Sequence, residues 1–323
     1  MRLITIGGSS GGKAAILKIL KNVPKSIDAA FVVVIHTSYD TPTFFDIVLQ
    51  KQTELKVELA THNTVLNSGT VYIAQPNCHL IICDHTIQLS KGPRENLFRP
   101  AIDVLFRSAA VSFGNQCIGI LLTGRLNDGS TGLEAIKKCG GIAIIQNPDS
   151  AEFTEMPRSA QELVDVDHVL ELEDIAQTLE SIVAEPPPMA TAIPNYLIRE
   201  NDIVKTIASR VELENDLGHQ VPLSCPSCSG PLWKIERSNV DRYRCHTGHS
   251  FTKEALLEGQ NTALEEALWI SLRTLEEKKV LLSRMVKDYS ERKMDNLSRS
   301  YEDKLQEISQ HINKIRHILQ LDD

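Results

Sequence analysis

The stretch RLITIGGSSGGK, residues 2–13, decides the fold, because an apolar run passes directly into a glycine-rich turn. The run RLITI is typical of a buried β-strand and ends just before Gly7. A helical pattern follows at about 11–21. A strand, a tight turn and a helix in this order predict the first βα unit of an α/β sheet.

The same alternation of strands and helices continues through the first half of the chain. The predicted strands are 2–6, 31–35, 71–74, 79–83, 117–122 and 142–146, and the predicted helices are about 11–21, 42–53, 100–112, 129–138, 158–164 and 172–183. Apolar strands separated by helices predict an α/β fold with a doubly wound, mainly parallel sheet. The stretch 71–91 differs, since two short β runs flank Asp84-His85, and it predicts a hairpin on the edge of that sheet.

The second half of the chain has a different composition, and we predict four segments in total. They are a catalytic domain over 1–183, a linker with a short helix over 184–222, a small zinc-ribbon-like unit over 223–251, and a helical hairpin or coiled coil over 252–323. The linker is rich in proline, which stiffens a chain. The last segment carries one apolar stripe on each helix, which predicts association within the chain or between copies.

Composition excludes several classes of protein. The chain has 323 residues and a formal net charge of −8, whereas a nucleic-acid surface usually needs a basic patch. No run approaches the ~18 apolar residues of a membrane span, and the start does not resemble a signal peptide. We therefore expect a cytoplasmic protein that neither inserts into membranes nor binds nucleic acid.

The glycine-rich turn fits two functional motifs. Gly7, Gly12 and Lys13 match a phosphate-binding loop, G-x-x-x-x-G-K-[ST], but Ala14 lacks the hydroxyl that would bind Mg²⁺. The same turn also matches G-x-S-x-G, in which Ser9 would stand above the sheet edge as a nucleophile. A plain glycine-rich turn is the third interpretation, so the choice depends on whether Ser9 has catalytic partners.

Two candidate partners follow other predicted strands. His36 ends the run FVVVI, and Asp128 follows the run CIGILL. Because the carboxyl ends of parallel strands meet at one sheet edge, we expect Ser9, His36 and Asp128 to lie together. Their chemistry suits a nucleophile, a general base and a residue that orients the base. Alone, His36 could be structural and Asp128 a turn or helix-capping residue. The chain order Ser–His–Asp differs from that of α/β-hydrolases, which indicates another hydrolase family.

Five motifs resemble the catalytic domain of the CheB-type protein-glutamate methylesterases over about residues 1–183. They are IGGSSGG, VVVIH, NLFRPAIDVLFRSAA, GILLTGRLNDGSTGL and EMPRSAQEL. The resemblance implies hydrolysis of glutamyl methyl esters on chemoreceptor helices with release of methanol, deamidation of some receptor glutamines, and no catalytic cofactor. It assigns Ser9 as nucleophile, His36 as base and Asp128 as the residue that orients His36. Since the catalytic strand begins at residue 3, we expect no receiver domain ahead of it.

The chain also departs from the pattern of this family. Arg125 and Leu126 stand where the family usually has Met-Gly, and TSYD follows His36 in place of the usual Met-Pro. These departures motivate a second hypothesis, a signalling adaptor with an inactive esterase fold. Arg99 matches a family position as well, but a structural ion pair would account for it, and we assign it no catalytic role.

A cysteine cluster lies beyond the region of resemblance. Cys225 and Cys228 form a C-x₂-C motif, and sixteen residues separate them from Cys245. This spacing is typical of a zinc ribbon, in which four nitrogen or sulfur ligands hold a structural ion. The fourth ligand is His249 or His246. We favour His249, because the glycine before it allows the turn around one metal. A redox C-x-x-C motif and a metal-free scaffold are the alternatives.

Overall fold

The computed structural model describes residues 1–36, 44–205, 218–236 and 240–319. The chain forms two compact units, Met1–Leu256 and Leu257–Asp323. The catalytic sheet and the cysteine cluster both lie in the first unit. Our finer division into four segments stays a prediction.

The first unit is built on a seven-stranded sheet with the strand order β10-β9-β8-β1-β2-β5-β3. The strands are β1 (Arg2–Gly8), β2 (Ala29–Ile35), β3 (Lys56–Leu59), β4 (Thr64–Val65), β5 (Thr70–Ile73), β6 (His79–Cys83), β7 (Thr86–Ser90), β8 (Cys117–Leu121), β9 (Ile142–Gln146) and β10 (His168–Leu170). Every pairing within this sheet is parallel. The predicted α/β fold class is therefore confirmed.

The hairpin around Asp84-His85 exists, but its predicted place was wrong. Strands β6 and β7 pair antiparallel, and with β4 they form a separate three-stranded sheet. The edge position beside β5 belongs instead to β3, whose short, partly polar sequence KVEL was not among the predicted strands. Leu80 and Ile82 of the hairpin are fully buried in the same core as α-helical residues of the first unit. The hairpin thus covers the core rather than extending the main sheet.

Helices cover both faces of the main sheet. They are α1 (Gly12–Leu20), α2 (Phe45–Gln50), α3 (Ile102–Phe113), α4 (Ser130–Lys138), α5 (Glu155–Leu163), α6 (Leu172–Ala184) and α7 (Asn195–Lys205). Alternate residues of β2 enter different cores, since side chains of a strand point to opposite faces in turn. Val32 packs in the core with α3 and α4, whereas Val33 packs in the core with α1 and α6. The predicted start of α2 at residue 42 lies outside the described residues.

The strand order creates a switch point at β1, the central strand of the sheet. The chain passes from β1 to β2 on one side, and β8 later adds to the other side. Gly7, near the end of β1, is in register with Val34 of β2 and Leu121 of β8. The loops that follow these three strands therefore open at the same edge, where α/β sheets bind their ligands.

A second antiparallel sheet contains the cysteine cluster. Its strands, in spatial order, are β11 (Gly218–Ser224), β12 (Pro231–Ile235), β13 (Arg242–Cys245) and β14 (Ser250–Thr252). We call residues 218–252 the Cys/His unit. The predicted hairpin is formed by β12 and β13, although residues 237–239 lie outside the described part. Its core is small and includes the buried side chains of Leu232 and Phe251.

The second compact unit is a helical hairpin. Helix α8 (Lys253–Glu291) begins in the first unit and continues into the second, where α9 (Asp295–Ile318) follows. The apolar seam of the hairpin consists of Leu272, Leu282, Ile308 and Ile312. At no point in the described part of the chain is a helix long and apolar enough to cross a membrane.

Candidate active site

Ser9 lies in the tight turn between β1 and α1. The Ser9 amide donates to the Thr123 carbonyl at 3.0 Å, and the Gly12 amide donates to the Ser9 carbonyl at 2.9 Å. Gly11 has a φ of 76°, a left-handed conformation that glycine adopts at little cost. The turn thus holds Ser9 beside the N-terminus of α1, whose positive dipole end favours negative charge.

His36 links Ser9 to Asp128. Its Nδ1 lies 3.1 Å from the Ser9 hydroxyl oxygen, and its Nε2 lies 2.7 Å from Asp128 Oδ2. Since a carboxylate only accepts hydrogen bonds, Nε2 carries the hydrogen and Nδ1 is left to accept the Ser9 proton. The imidazole also stacks on Phe98, with 3.6 Å between ring centroids, and the His36 side chain is 3% exposed. The structure therefore brings the three predicted residues together.

Asp128 is buried and held by the start of α3. Its carboxylate accepts the Ile102 amide at 2.7 Å, the Asp103 amide at 3.2 Å and the Asn96 side-chain amide at 2.9 Å. Burial opposes the charge, but the hydrogen bond and charge of His36, with the bonds from Asn96 and Ile102, hold the pKa of Asp128 below its ordinary value. Asp128 therefore remains a carboxylate that can orient His36 and stabilise its protonated form.

A second buried carboxyl group, Asp103, was not identified from the sequence. It accepts the amides of Gly129 and Gly132 at 3.0 and 2.6 Å, and the Asn96 side-chain amide at 2.7 Å. Burial, and then the negative charge of Asp128, raise the pKa of Asp103 to about 7. Its only sequence signal is an acidic residue within the apolar run AIDVLF. It fixes the loop around Asp128 to the first turn of α3.

The residues that depart from the family pattern adopt a defined loop after β8. Leu126 has a φ of 61°, and its amide donates to the Glu155 carboxylate at 2.9 Å. The Arg125 guanidinium lies 5.1 Å from the Phe153 ring centroid. The substituted positions thus have partners of their own, while the TSYD segment after His36 lies outside the described residues.

Arg99 supports the loop before α3. Its Nε donates to the Asn77 side chain at 2.8 Å, and its Nη1 donates to the Gly92 carbonyl at 2.8 Å. Within the described part of the chain, hydrogen bonds to neutral groups hold Arg99, and the expected ion pair is not found there.

The Cys/His unit brings together Cys225, Cys228, Cys245 and His249, whose ligand atoms all lie within 4.8 Å of one another. The Cys228 and Cys245 sulfurs are 3.7 Å apart, and the Cys245 sulfur is 3.5 Å from His249 Nδ1. Tetrahedral zinc with Zn–S bonds of about 2.3 Å separates two sulfur ligands by about 3.8 Å. The group therefore fits a tetrahedral ion. Gly248, with a φ of 95°, makes the turn that brings His249 rather than His246 into the group.

The family model described as CheB methylesterase matches residues 4–179. This chain belongs to the CheB methylesterase family. The predicted family and enzyme class are confirmed. Because the family consists of esterases, the assignment favours the serine interpretation of the GGSSGGK turn over the phosphate loop. It likewise favours an enzyme over an inactive adaptor. The match ends before the Cys/His unit begins.

Several known members of the CheB family are similar to this chain. A putative protein-glutamate methylesterase/protein-glutamine glutaminase of Leptospira interrogans is 42% identical over 175 residues, which are 54% of this chain and 91% of the relative. The protein-glutamate methylesterase FrzG of Myxococcus xanthus is 35% identical over 178 residues, 55% of this chain and 53% of FrzG. The crystal structure of the Thermotoga maritima CheB methylesterase catalytic domain superimposes with a TM-score of 0.54 at 30% identity, covering 56% of this chain and 97% of that chain.

Proposed function

We propose that this protein removes methyl groups from esterified glutamate side chains of another protein, with Ser9, His36 and Asp128 as its catalytic residues. The observation that carries the proposal is the continuous hydrogen-bonded chain from Ser9 through His36 to Asp128. The names of its relatives, protein-glutamate methylesterases, support the choice of substrate.

The first half of the reaction forms an acyl-enzyme. The Ser9 oxygen attacks the ester carbonyl carbon while His36 Nδ1 takes the hydroxyl proton. The negative charge of the tetrahedral intermediate develops beside the N-terminus of α1, which stabilises it. His36 then returns the proton to the methoxy oxygen, the bond from that oxygen to the carbonyl carbon breaks, and methanol leaves.

The second half releases the product. Water attacks the glutamyl carbonyl carbon while His36 takes one of its protons, and the bond to the Ser9 oxygen breaks as His36 reprotonates that oxygen. Asp128 keeps its negative charge throughout and stabilises each imidazolium form of His36. The same route acting on an amide would release ammonia and convert glutamine to glutamate. The glutaminase activity in the name of the Leptospira relative supports this second reaction.

We infer that the ester is carried by the cytoplasmic helices of a chemoreceptor or a similar signalling protein. The support is the family membership, together with the fact that relatives such as FrzG are named as enzymes acting on protein glutamates. The reaction steps above need only side chains of this chain and water, so we propose no cofactor for catalysis.

We further infer that Cys225, Cys228, Cys245 and His249 hold a structural zinc ion. Four protein ligands complete a tetrahedral shell, and Cys225 and Cys245 are buried. When bound, the ion would cross-link the two loops of a sheet that has little core of its own. A small unit of this kind gains much of its folding free energy from its metal.

The test of the esterase is methanol release from a methylated chemoreceptor fragment. We expect release by the wild type and none by Ser9→Ala. Ser10→Ala is the matched control, because it removes a hydroxyl from the same turn but keeps the Ser9 hydroxyl that faces His36, and it should keep most of the activity. Continued release by Ser9→Ala, or none from a folded wild type that binds the fragment, would contradict the proposal.

The test of the zinc site is the metal content of purified protein. We expect about one zinc per chain in the wild type and loss of the ion in Cys225→Ser/Cys228→Ser. The matched control is Cys78→Ser/Cys83→Ser, which changes two cysteines outside the group and should retain the metal. A folded wild type that is free of metal would refute the site.

A further inference from the structure

We propose that β14 of the Cys/His unit positions Asp128, acting through Asn96 and Asn127, so that the order of this unit sets the reactivity of Ser9. Asn96 and Thr252 are then positioning residues of the esterase site. The inference rests on the proposed function in taking Ser9 as the nucleophile. It assigns the Cys/His unit, which lies outside the family match, a part in the active site.

The Asn96 side chain bridges β14 and the catalytic carboxylate. Its Nδ2 donates to Asp128 at 2.9 Å, and its Oδ1 accepts the Thr252 amide at 2.9 Å. The Asn96 amide also donates to the Ser250 carbonyl at 2.7 Å. Because the Thr252 amide must face the oxygen end of the side chain, it turns the nitrogen end toward Asp128. Asn96 is 4% exposed, so bulk water is poorly placed to replace these contacts.

Thr252 also holds the residue next to Asp128. Its hydroxyl donates to the Asn127 side-chain oxygen at 2.6 Å, and the Asn127 side-chain nitrogen donates to Glu254 at 2.6 Å. Both Asn127 and Thr252 are buried. Thr252 therefore contacts Asn127, which precedes Asp128 in the chain. It also contacts Asn96, whose side chain donates a hydrogen bond to Asp128.

A buried ion cluster ties the metal-ligand turn to the segment before α3. Glu95 is 2% exposed and pairs with Arg107 and Arg244, each at 2.9 Å. Arg244 also donates to the Gly248 carbonyl at 3.1 Å, within the turn between Cys245 and His249. Separating one member of a buried ion cluster leaves the remaining charges uncompensated away from water, which costs free energy. The cluster therefore holds the Cys245–His249 turn against the segment before α3.

The segment that this cluster holds is itself strained. Asn96 and Leu97 are consecutive non-glycine residues with φ values of 50° and 73°. Such a conformation persists only where surrounding contacts impose it, and Leu97 packs against the core of the Cys/His unit. The next residue is Phe98, which stacks on His36. Release of the segment would therefore disturb both the base and its orienting carboxylate.

The first experiment measures how fast a fluorophosphonate labels Ser9 in the full chain. We expect Asn96→Ala and Thr252→Val to react about tenfold or more slowly than wild type, because misplacement of a catalytic group by ~1 Å can cost 10²-fold. Thr252→Ser keeps the hydroxyl and should restore the rate. Thr5→Val is the matched control, since Thr5 is equally buried but its hydroxyl donates to the Ile118 carbonyl.

Two further readouts separate positioning from general destabilisation. With a methyl ester substrate, Thr252→Val should lower kcat and leave KM within about twofold, because Thr252 acts through Asp128. Wild-type rates in both Asn96→Ala and Thr252→Val would overturn the proposal. The proposal would also be overturned if Thr5→Val slowed the labelling of Ser9 as much as Thr252→Val does. The slower labelling would then reflect a general loss of stability.

The second experiment removes the metal from the full chain with a chelator. We expect slower labelling of Ser9 and faster hydrogen exchange at the Ile102 and Asp103 amides, both reversed by zinc. Unchanged exchange and labelling after complete removal of the metal would refute the link to the Cys/His unit. A folded wild type that is never labelled would instead refute the proposed nucleophile, and exchange at the Ile102 amide would still test the coupling.

Discussion

Gly7→Ala should disrupt the active site from within the sheet. A Cβ atom at residue 7 would lie 2.3 Å from Ile102 Cγ2 and 3.1 and 3.2 Å from its Cγ1 and Cδ1. Non-bonded carbon atoms separate by about 3.5–4.0 Å, so Ile102 must move by more than ~1 Å. Ile102 is fully buried, so it cannot relieve the contact by moving into solvent.

This movement would reach Asp128, because the Ile102 amide donates to its carboxylate at 2.7 Å. We expect the overpacking to lower the free energy of unfolding by about 1–3 kcal/mol. A displacement of ~1 Å at the start of α3 should slow the reaction of Ser9 by up to about 10²-fold.

Gly12→Ala is the matched control within the same motif. The nearest atom to its added Cβ is Ile35 Cγ2 at 4.0 Å, an ordinary contact. Gly12 is the first residue of α1 and has no positive φ, and glycine-to-alanine changes at such compatible positions stabilise a protein by about 0.4–1 kcal/mol. Urea unfolding and the rate of fluorophosphonate labelling test both variants. If Gly7→Ala matches wild type in both, or if Gly12→Ala is impaired as much as Gly7→Ala, the packing argument is wrong.

Three further predictions concern stability. Glu95→Gln removes the buried carboxylate that Arg107 and Arg244 share, although Arg244 also lies 3.6 Å from Glu200. The substitution should cost about 3–5 kcal/mol in urea unfolding, and a loss below ~1 kcal/mol would contradict the buried cluster. The pKa of Asp103 is raised from 3.8 to about 7, so its contribution to stability is full below pH ~4 and is lost as pH rises through about 7. Melting temperatures from pH 4 to 8 should therefore fall more for wild type than for Asp103→Asn, and parallel curves would refute this. Ile308→Asp, at a position 5% exposed, should reduce the helical circular dichroism of the hairpin, whereas Leu264→Asp, at a position 60% exposed, should not.

The position of the candidate triad could be predicted because it follows from a general property of parallel sheets. Ser9, His36 and Asp128 each follow a strand that the sequence marks by its apolar residues, and the topology gathers the ends of those strands. The sequence could not predict that Nδ1 of His36 faces Ser9 and Nε2 faces Asp128. This orientation depends on where α3 places Asp128 relative to the imidazole.

Other features could not be predicted from the sequence, because they depend on contacts between distant parts of the chain. Strand β3 is short and partly polar, so its residues alone do not predict a strand. Its pairing with β5 in the folded sheet is what makes it one. The hairpin around Asp84-His85 was recognised from its turn, but a turn does not show which sheet its strands join. Asn96 and Thr252 resemble ordinary loop and strand residues until the fold brings them together, 156 positions apart in the chain.

The contact between Asn127 and Thr252 spans 125 positions of the chain, which has a consequence for biosynthesis. At about 5–20 residues per second, a ribosome adds the second partner about 6–25 s after the first. During this interval the nascent chain already contains Ser9, His36 and Asp128 but not β14. If β14 positions Asp128, the newly made esterase acquires full reactivity only after translation has passed well beyond residues 4–179, the region that matches the methylesterase family.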